Sequence, residues 1–297
     1  MARVRIVSLL PSATEIVCTL GLRDALAGVS FECDFPPEVR AVPAVSHPAV
    51  SLDDATTPDD IDRLITERVG AGQPVYRLDA ERISEIQPDL ILTQDLCGVC
   101  AVPSGQVDDA LAQLGWRARV LSLDPHSLEA VLDSIVEVGR ASGSVRRAVD
   151  VVAELRQRLQ AVRARVTDLA RPRTVVLEWP DPPFGAGHWV PDMVEAAGGL
   201  EVVGRAGVDS VRVTWEDIRA AAPAVVVNAP CGYGLAEAQR LGAELPDLSG
   251  AALYAADANH LFSRPGPRLV DGVEALAWIL HPGDVDEPPF GRVARLR

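Results

Sequence analysis

Residues 144–169 read SVRRAVDVVAELRQRLQAVRARVTDL, and this stretch decides how the rest of the chain is organised. Apolar side chains recur along it at spacings of three and four, which is the pattern of one amphipathic helix. They are Ala148, Val152, Leu155, Leu159, Val162, Val166 and Leu169. At about 1.5 Å per residue, such a helix is longer than one small domain needs. We interpret it as a rigid connection between two lobes, and a coiled-coil dimer helix is the alternative.

Strands and helices alternate on both sides of this helix. Before it, the predicted strands are Val4–Leu9, Ala27–Phe31, Leu90–Thr93 and Arg119–Leu123, and the predicted helices are Ala80–Ile86, Gln106–Leu114 and Leu128–Gly139. After it, the predicted strands are Thr174–Glu178, Val225–Asn228 and Ala252–Ala256, and the predicted helices are Asp192–Ala197, Leu235–Gly242 and Leu269–Leu280. This alternation predicts an α/β fold of two Rossmann-like lobes with mostly parallel sheets. The expected division is an N-terminal lobe over 1–142, the connecting helix over 143–170 and a C-terminal lobe over 171–297.

Local signals mark several boundaries. Ser12 and Glu15 have the spacing of a capping box, which predicts a helix start at Ser12. The segment His47–Tyr76 is long for a connection, and its own helix start has Thr57 as N-cap before Pro58. We assign this segment no role. The Pro- and Gly-rich residues from Pro282 onward are expected to form a loosely packed tail.

Composition restricts the class of partner. A length of 297 residues suits two domains, and all 28 cations are Arg against 42 acidic residues, a net charge of −14. Such a surface repels phosphate backbones and anionic lipid, which argues against nucleic-acid or membrane partners. The opening residues lack the apolar core of a signal peptide, so we expect a cytoplasmic protein unless an upstream signal was removed. The odd count of five cysteines argues against a disulfide framework.

Candidate site residues lie in the loops after the predicted strands, where open parallel sheets bind ligands. In the first lobe they are Pro11, Ser12, Phe31 and Asp34, and in the second Trp179, Phe184, His188, Trp189, Tyr233, Phe262 and Arg264. The aromatic side chains among them suit a large flat ligand. No nucleophile elbow, phosphate loop or lysine is present, so no catalytic residue is predicted.

Four cysteines share these loops. Cys33, Cys97, Cys100 and Cys231 follow three different strands, whereas Cys18 sits within a helical pattern and is expected in the core. Four thiolates would suit a transition metal such as zinc, or an iron–sulfur cluster. The spacing of Cys97 and Cys100 also permits a thiol oxidoreductase. Buried inert cysteines are the remaining interpretation.

A series of short motifs carries a family resemblance. In chain order they are SLLPSATE (8–15), LGL (20–22), DFPP (34–37), QPDLIL (87–92), DPPF (181–184), AGG (197–199) and RPGPR (264–268). Their order and spacing, from Val4 to about His281, resemble class III periplasmic binding proteins. Among these, the chain is most similar to the vitamin B12-binding components of ABC importers and to their iron–siderophore and heme relatives. It resembles in particular a signal-less, cobalamin-binding branch that shares its cysteine loops, Glu178-Trp179 and Gly187-His188-Trp189.

The resemblance implies two α/β lobes joined by one helix, with a small-molecule ligand in the cleft between them. The implied ligand is cobalamin or a related corrinoid, with aromatic side chains covering its ring faces and a Cys or His188 as a metal ligand. An ABC importer is an implied partner, although the loop Ala101–Gln106 lacks the acidic residue that importer components use for docking. We therefore expect a non-enzymatic binding protein, with the metal or iron–sulfur protein and the thiol oxidoreductase as alternatives.

Overall fold

The computed structural model describes residues 4–50, 57–96, 101–248 and 250–297. The chain forms two compact units. The first comprises Met1–Asp124 and Leu132–Val152, and the second comprises Pro125–Val131 and Ala153–Arg297. The predicted domain boundaries at residues 142 and 170 stay a prediction.

The first unit is built on a six-stranded sheet. Its strands are β1 (Ile6–Ser8), β2 (Leu26–Ser30), β3 (Ala44–Pro48), β4 (Tyr76–Leu78), β5 (Leu90–Thr93) and β6 (Arg119–Ser122), in the order β4-β3-β2-β1-β5-β6. All neighbouring strands are parallel except β3 and β4. The connecting helices are α1 (Pro11–Thr19), α2 (Pro58–Gly70), α3 (Ala80–Ile86) and α4 (Ser104–Leu114). Continuous apolar runs such as Leu90–Thr93 are fully buried, as parallel strands covered on both faces require.

Two long helices follow, α5 (Leu128–Ser142) and α6 (Val145–Val166). The second confirms the helix predicted over Ser144–Leu169, and most of its apolar stripe is buried. The two helices approach so closely that a Cβ on Gly139 would lie 2.4 Å from Cβ of Ala148. A glycine is therefore required at this contact.

The second unit contains a seven-stranded sheet. Its strands are β7 (Arg173–Pro180), β8 (Pro183–Gly185), β9 (Leu200–Glu201), β10 (Val211–Arg212), β11 (Val225–Asn228), β12 (Ala252–Ala256) and β13 (Val293–Arg295). The order is β10-β8-β7-β11-β12-β13, with β9 paired to β7. The central strands β7, β11 and β12 are parallel. The helices are α7 (Val190–Ala196), α8 (Trp215–Ala220), α9 (Leu235–Ala243), α10 (Ala258–Leu261) and α11 (Leu269–Leu280).

Two predictions of local structure are wrong. Helix α1 begins at Pro11 with Leu10 as its N-cap and without a side-chain cap, so Ser12 and Glu15 lie inside the helix and are buried. Proline at the first helical position has no N–H to cap. The residues after Pro282 are not a loose tail, because β13 pairs antiparallel with β12 and completes that edge of the sheet.

The segment His47–Tyr76 contributes to the first sheet. Strands β3 and β4 overlap its two ends and pair with each other, which the sequence did not reveal because both strands are short. The helix start at Thr57 is confirmed, since Thr57 and Asp60 form a capping box. No helix in the described ranges is both long enough and apolar enough to span a membrane.

Candidate functional site

An aromatic pair marks the carboxyl ends of the central strands in the second unit. Trp179 lies near the end of β7 and Tyr233 in the loop after β11, and their rings stack with centroids 5.8 Å apart at 28°. The indole Nε1 of Trp179 donates a hydrogen bond to the Asp181 carbonyl at 3.0 Å. Both side chains are half-buried. The structure therefore brings together two residues that the sequence placed in separate loops.

Glu178 lies beside this pair and is half-buried. Its carboxylate accepts hydrogen bonds from the Gly187 N–H at 3.3 Å and from the Ser210 hydroxyl. Burial, with the neighbouring Glu201 carboxylate, raises the pKa of Glu178 from 4.5 to about 7, although these hydrogen bonds act in the opposite direction. Glu178 is thus a carboxyl group that changes charge near neutral pH.

His188 stands between two other rings. Its imidazole stacks on His126 with centroids 5.9 Å apart and lies 5.4 Å from the Trp189 ring. Burial lowers the pKa of His188 below its usual value, although Asp209, with Oδ1 3.3 Å from His188 Nε2, acts to raise it. The imidazole is therefore neutral at neutral pH, which is the form that binds metals.

The loop over residues 202–210 fixes the backbone that carries His188. The Glu201 carboxylate accepts the N–H groups of Val202, Val203 and Gly204, which holds the start of this loop. The His188 N–H donates to the Val208 carbonyl at 2.7 Å. A Cβ on Gly187 would lie 2.5 Å from that same carbonyl oxygen, so only glycine allows the loop to approach this closely.

Two predicted ligand residues lie inside the second unit. Phe262 is 1% exposed and Trp189 is 7% exposed, and the Trp189 Nε1 donates to the Phe262 carbonyl at 2.8 Å. Both rings are thus almost fully covered by other residues of the second unit, and a ligand-binding role for them stays a prediction. The hydrogen bond from Trp189 connects the segment after His188 to the loop that carries Phe262.

The other predicted residues of the second unit are more accessible. Phe184 is half-buried on β8, which lies between β10 and β7, and the Arg212 guanidinium is 5.5 Å from its ring centroid. Arg264 is half-buried in the loop between α10 and α11.

In the first unit, the predicted residues follow β1 and β2. Pro11 is half-buried at the start of α1, and Ser12 beside it is only 2% exposed. Phe31 is 42% exposed, with its ring centroid 6.1 Å from that of Tyr76. Asp34 is half-buried. Phe31 is therefore the most exposed of these four residues, and Ser12 is the buried one.

Charge in these loops of the first unit has a single sign. The segments 9–12, 31–37, 94–96 and 123–124 follow β1, β2, β5 and β6. The last three contain acidic residues, and none of the four contains arginine. The acidic residues are Glu32, Asp34, Asp95 and Asp124. Hydrogen bonds from Ser104 lower the pKa of Asp95 although its partial burial acts to raise it, so Asp95 is charged at neutral pH.

The hydrogen bonds of Cys33 favour a protonated thiol. Its Sγ lies 3.1 Å from the Thr14 hydroxyl, which in turn donates to the Ser8 hydroxyl at 2.8 Å. Because the Thr14 hydroxyl has one hydrogen and gives it to Ser8, the Cys33 thiol must be the donor in its own contact. A thiolate ligand would lose that hydrogen bond, and Cys33 is also 5% exposed.

The predicted four-thiolate site gains no support from these contacts. Cys97 and Cys100 lie outside the described residues, and Cys231 is exposed in the second unit, whereas Cys33 is buried in the first. Within the ranges that the structure describes, no group of three or more His, Cys, Asp or Glu side chains is arranged to hold a metal ion. Cys18, predicted in the core, is half-buried, and burial raises its pKa to about 11.

Sequence reasoning missed the polar residues that hold the aromatic pair in place. Glu178 was not predicted as a site residue, although an acidic residue at the end of an apolar strand is a usable signal. Asn259 and Arg268 were also missed. Asn259 bonds Gly232, 27 residues earlier in the chain, and Arg268 bonds Asn259 on α10, and no local pattern in the sequence shows these contacts.

Comparison with known proteins adds a family match. Residues 6–244 match a family model described as periplasmic binding protein. A vitamin B12-binding protein of Vibrio cholerae is 27% identical over 282 residues, covering 93% of this chain and 88% of that protein. An uncharacterised ABC transporter substrate-binding lipoprotein of Bacillus subtilis is 26% identical over 291 residues, covering 95% of this chain and 82% of that protein.

Solved structures share the fold. A periplasmic heme-binding protein from Pseudomonas aeruginosa matches with a TM-score of 0.73 at 21% identity, covering 98% of this chain and 97% of that one. The periplasmic vitamin B12-binding protein of Vibrio cholerae matches with a TM-score of 0.65 at 24% identity, covering 93% and 96%. These similar structures confirm the predicted α/β fold class. Because the identities are below 25%, they are evidence for the fold only.

The predicted cytoplasmic location is wrong. The similar proteins are described as periplasmic or as a lipoprotein that serves an ABC transporter, which places them outside the cytoplasm. The absence of a recognisable leader in the opening residues was therefore not a sound basis for location.

Proposed function

The chain belongs to the periplasmic binding protein family, and from that premise we propose that it binds a corrinoid, without catalysing a reaction. One observation carries the choice of a flat ligand. The stacked Trp179 and Tyr233 rings stand side by side at the carboxyl ends of β7 and β11, where open α/β sheets bind ligands. Aromatic faces of this kind suit the apolar faces of a large macrocycle.

Charge selects among macrocyclic ligands. Heme carries carboxylates and many siderophores are anionic, whereas the corrin ring is surrounded mainly by neutral amides. The loops of the first unit that carry Phe31 and Asp34 contain only acidic charges, which would repel a carboxylate and can accept hydrogen bonds from amides. The name of the Vibrio cholerae relative, vitamin B12-binding protein, supports the same choice.

His188 is the proposed side chain for a contact with the corrinoid metal. Its imidazole is held neutral by burial, and the loop over residues 202–210 fixes its backbone. If it ligates cobalt, the visible spectrum of bound aquocobalamin should differ from that of the free compound, and His188→Ala should abolish the difference.

Delivery to an ABC importer is proposed for the bound ligand. The support is the Bacillus subtilis relative, described as an ABC transporter substrate-binding lipoprotein. No specific contact of the described residues favours the alternatives of a metal protein or a thiol oxidoreductase.

The proposal is tested by equilibrium binding of cyanocobalamin and of hemin to the purified chain. We expect cyanocobalamin to bind and hemin to bind far more weakly. Tyr233→Leu, which removes the ring, should weaken cobalamin binding, whereas Tyr233→Phe keeps the ring and should retain it. Tighter binding of hemin than of cobalamin, or equal binding by both Tyr233 variants, would contradict the proposal.

A further inference from the structure

A hydrogen-bonded chain of residues leads from the aromatic pair to His260. The Asn259 side chain donates to the Gly232 carbonyl at 2.9 Å, and its backbone N–H donates to the Tyr233 carbonyl at 3.3 Å. Arg268 donates to the Asn259 carbonyl at 3.3 Å through Nη2. Asn259 therefore fixes the segment that carries Tyr233, and Arg268 fixes Asn259.

The side chains of Arg268 and His260 are in direct contact. Nη1 of Arg268 lies 2.6 Å from Nδ1 of the imidazole. A guanidinium group can only donate hydrogen bonds, so Nδ1 must accept and must carry no proton. The remaining ring proton is then on Nε2, which lies 3.4 Å from Oδ2 of Asp271. This geometry requires a neutral His260 in a single tautomer.

Charged groups of both signs surround His260. The side chain is only 12% exposed. Asp271 on α11 faces Nε2 and is itself bound by Arg158 of α6, which also pairs with Glu274. Although burial acts to raise the pKa of Asp271, hydrogen bonds from His260 and Arg158 lower it, so this carboxylate stays charged.

Asp257, Arg292 and Phe290 also lie near His260. Asp257 accepts the backbone N–H of His260 at 3.0 Å and pairs with Arg292, while the Phe290 ring centroid is 6.0 Å away. Asp271 thus faces Nε2 of the ring, and Arg268 faces Nδ1. A proton on Nδ1 would point at the guanidinium across 2.6 Å, so protonation must break the contact with Arg268.

We propose that His260 is a positioning residue whose protonation releases Arg268, loosens the segment that carries Tyr233, and so lowers ligand affinity on acidification. Histidine is the side chain that changes charge in the physiological pH range. The direction follows from the geometry, because only the neutral ring accepts from Arg268. This inference rests on the proposed function for its effect on affinity, whereas the change in the aromatic pair itself does not.

The first test measures cyanocobalamin affinity at pH 7.5 and 5.5. For the unaltered chain we expect roughly tenfold weaker binding at pH 5.5. His260→Asn offers Arg268 a carbonyl oxygen that does not titrate, so its affinity should fall less between the two values, by the contribution of Glu178 alone. His260→Leu cannot accept from Arg268, and its affinity should be low at both. Equal affinity of the unaltered chain at both values, or a parallel loss in His260→Asn, would overturn the proposal.

The second test needs no ligand. The indole N–H of Trp179 gives an NMR signal that reports its stacking on Tyr233, assigned by comparison with Trp179→Phe. This signal should shift between pH 7.5 and 5.5 in the unaltered chain and shift clearly less in His260→Asn, where Glu178 beside Trp179 still changes charge, with circular dichroism confirming that both remain folded. If no variant binds cyanocobalamin, the proposed function fails while this shift still supports the switch. A signal that does not move with pH, or that moves equally in both proteins, would refute the switch.

Discussion

At the scale of single residues, two tryptophans that look alike in the sequence have different roles. Trp179 is half-buried against Tyr233, whereas Trp189 is 7% exposed and hydrogen-bonded to the Phe262 carbonyl. We expect Trp179→Ala to weaken corrinoid binding by about 1–3 kcal/mol with little loss of stability. Trp189→Ala should instead lower the free energy of unfolding by about 3–5 kcal/mol, the usual cost of truncating a buried aromatic residue. Calorimetric binding and urea unfolding of both variants check this, and equal stability losses would contradict it.

Glu178 makes stability depend on pH in a direction that can be worked out. Its pKa is raised from 4.5 to about 7 by burial, so the folded state holds this proton more tightly than the unfolded state does. The corresponding stabilisation is complete below about pH 4.5 and is lost as the pH rises through about 7. Glu178→Gln does not ionise and can still pair with Gly187 and Ser210.

We therefore expect Glu178→Gln to gain stability relative to the unaltered chain at pH 8 and to gain less at pH 5. Thermal unfolding at the two values measures the difference. Glu85→Gln, an exposed site on α3, is the matched control and should show no such pattern. A gain of equal size at both pH values would show that burial of the Glu178 charge is not the cause.

At the scale of elements, the turn after α7 contains two consecutive glycines, Gly198 and Gly199, and the first of them has no room for a side chain. Gly198 has φ +81, and a Cβ there would lie 2.7 Å from Nε2 of the buried His281 and 2.8 Å from Cβ of Val166. Gly207 has a similar φ of +74 with no atom within 4 Å of its added Cβ. Gly198→Ala should therefore destabilise through both strain and overpacking, by about 2–4 kcal/mol in total.

Gly207→Ala is the matched control, since it carries the backbone strain alone. Its cost should be about 1 kcal/mol. Urea unfolding of the two variants isolates the packing contribution at α7. Equal destabilisation would mean that the contacts of Gly198 with α6 and His281 add nothing.

Sequence reasoning recovered the elements that have strong periodic or capping signals. Helix α6 and the apolar strand β5 were found because burial on one stripe or on both faces leaves a clear pattern. The two- and three-residue strands β8, β9, β10 and β13 were missed, since so few residues show no period. The aromatic residues of the candidate site were found because they lie in the loops after the predicted strands. The burial of Phe262 could not be read from them, because it depends on packing against residues far away in the chain.

At the scale of the whole molecule, the negative net charge determines which anionic surfaces the chain does not bind. With a net charge of −14 and no lysine, we expect no binding to duplex DNA or to vesicles of anionic lipid at about 0.15 M salt. Mobility shift and vesicle co-sedimentation at pH 7 test this, with neutral vesicles as the control. Binding that weakens as salt is added would show a basic patch that the net charge conceals.

The assignment of α5 and α6 to both compact units has a consequence for dissecting the protein. The chain passes from one unit to the other after Asp124, after Val131 and after Val152, and the last two positions lie inside helices. A gene fragment ending at Val152 would keep only the first turns of α6, a helical stub too short to persist without its continuation. Fragment libraries, split reporters and permuted chains should therefore be cut in exposed turns such as that around Gly72, between α2 and β4, not between the units.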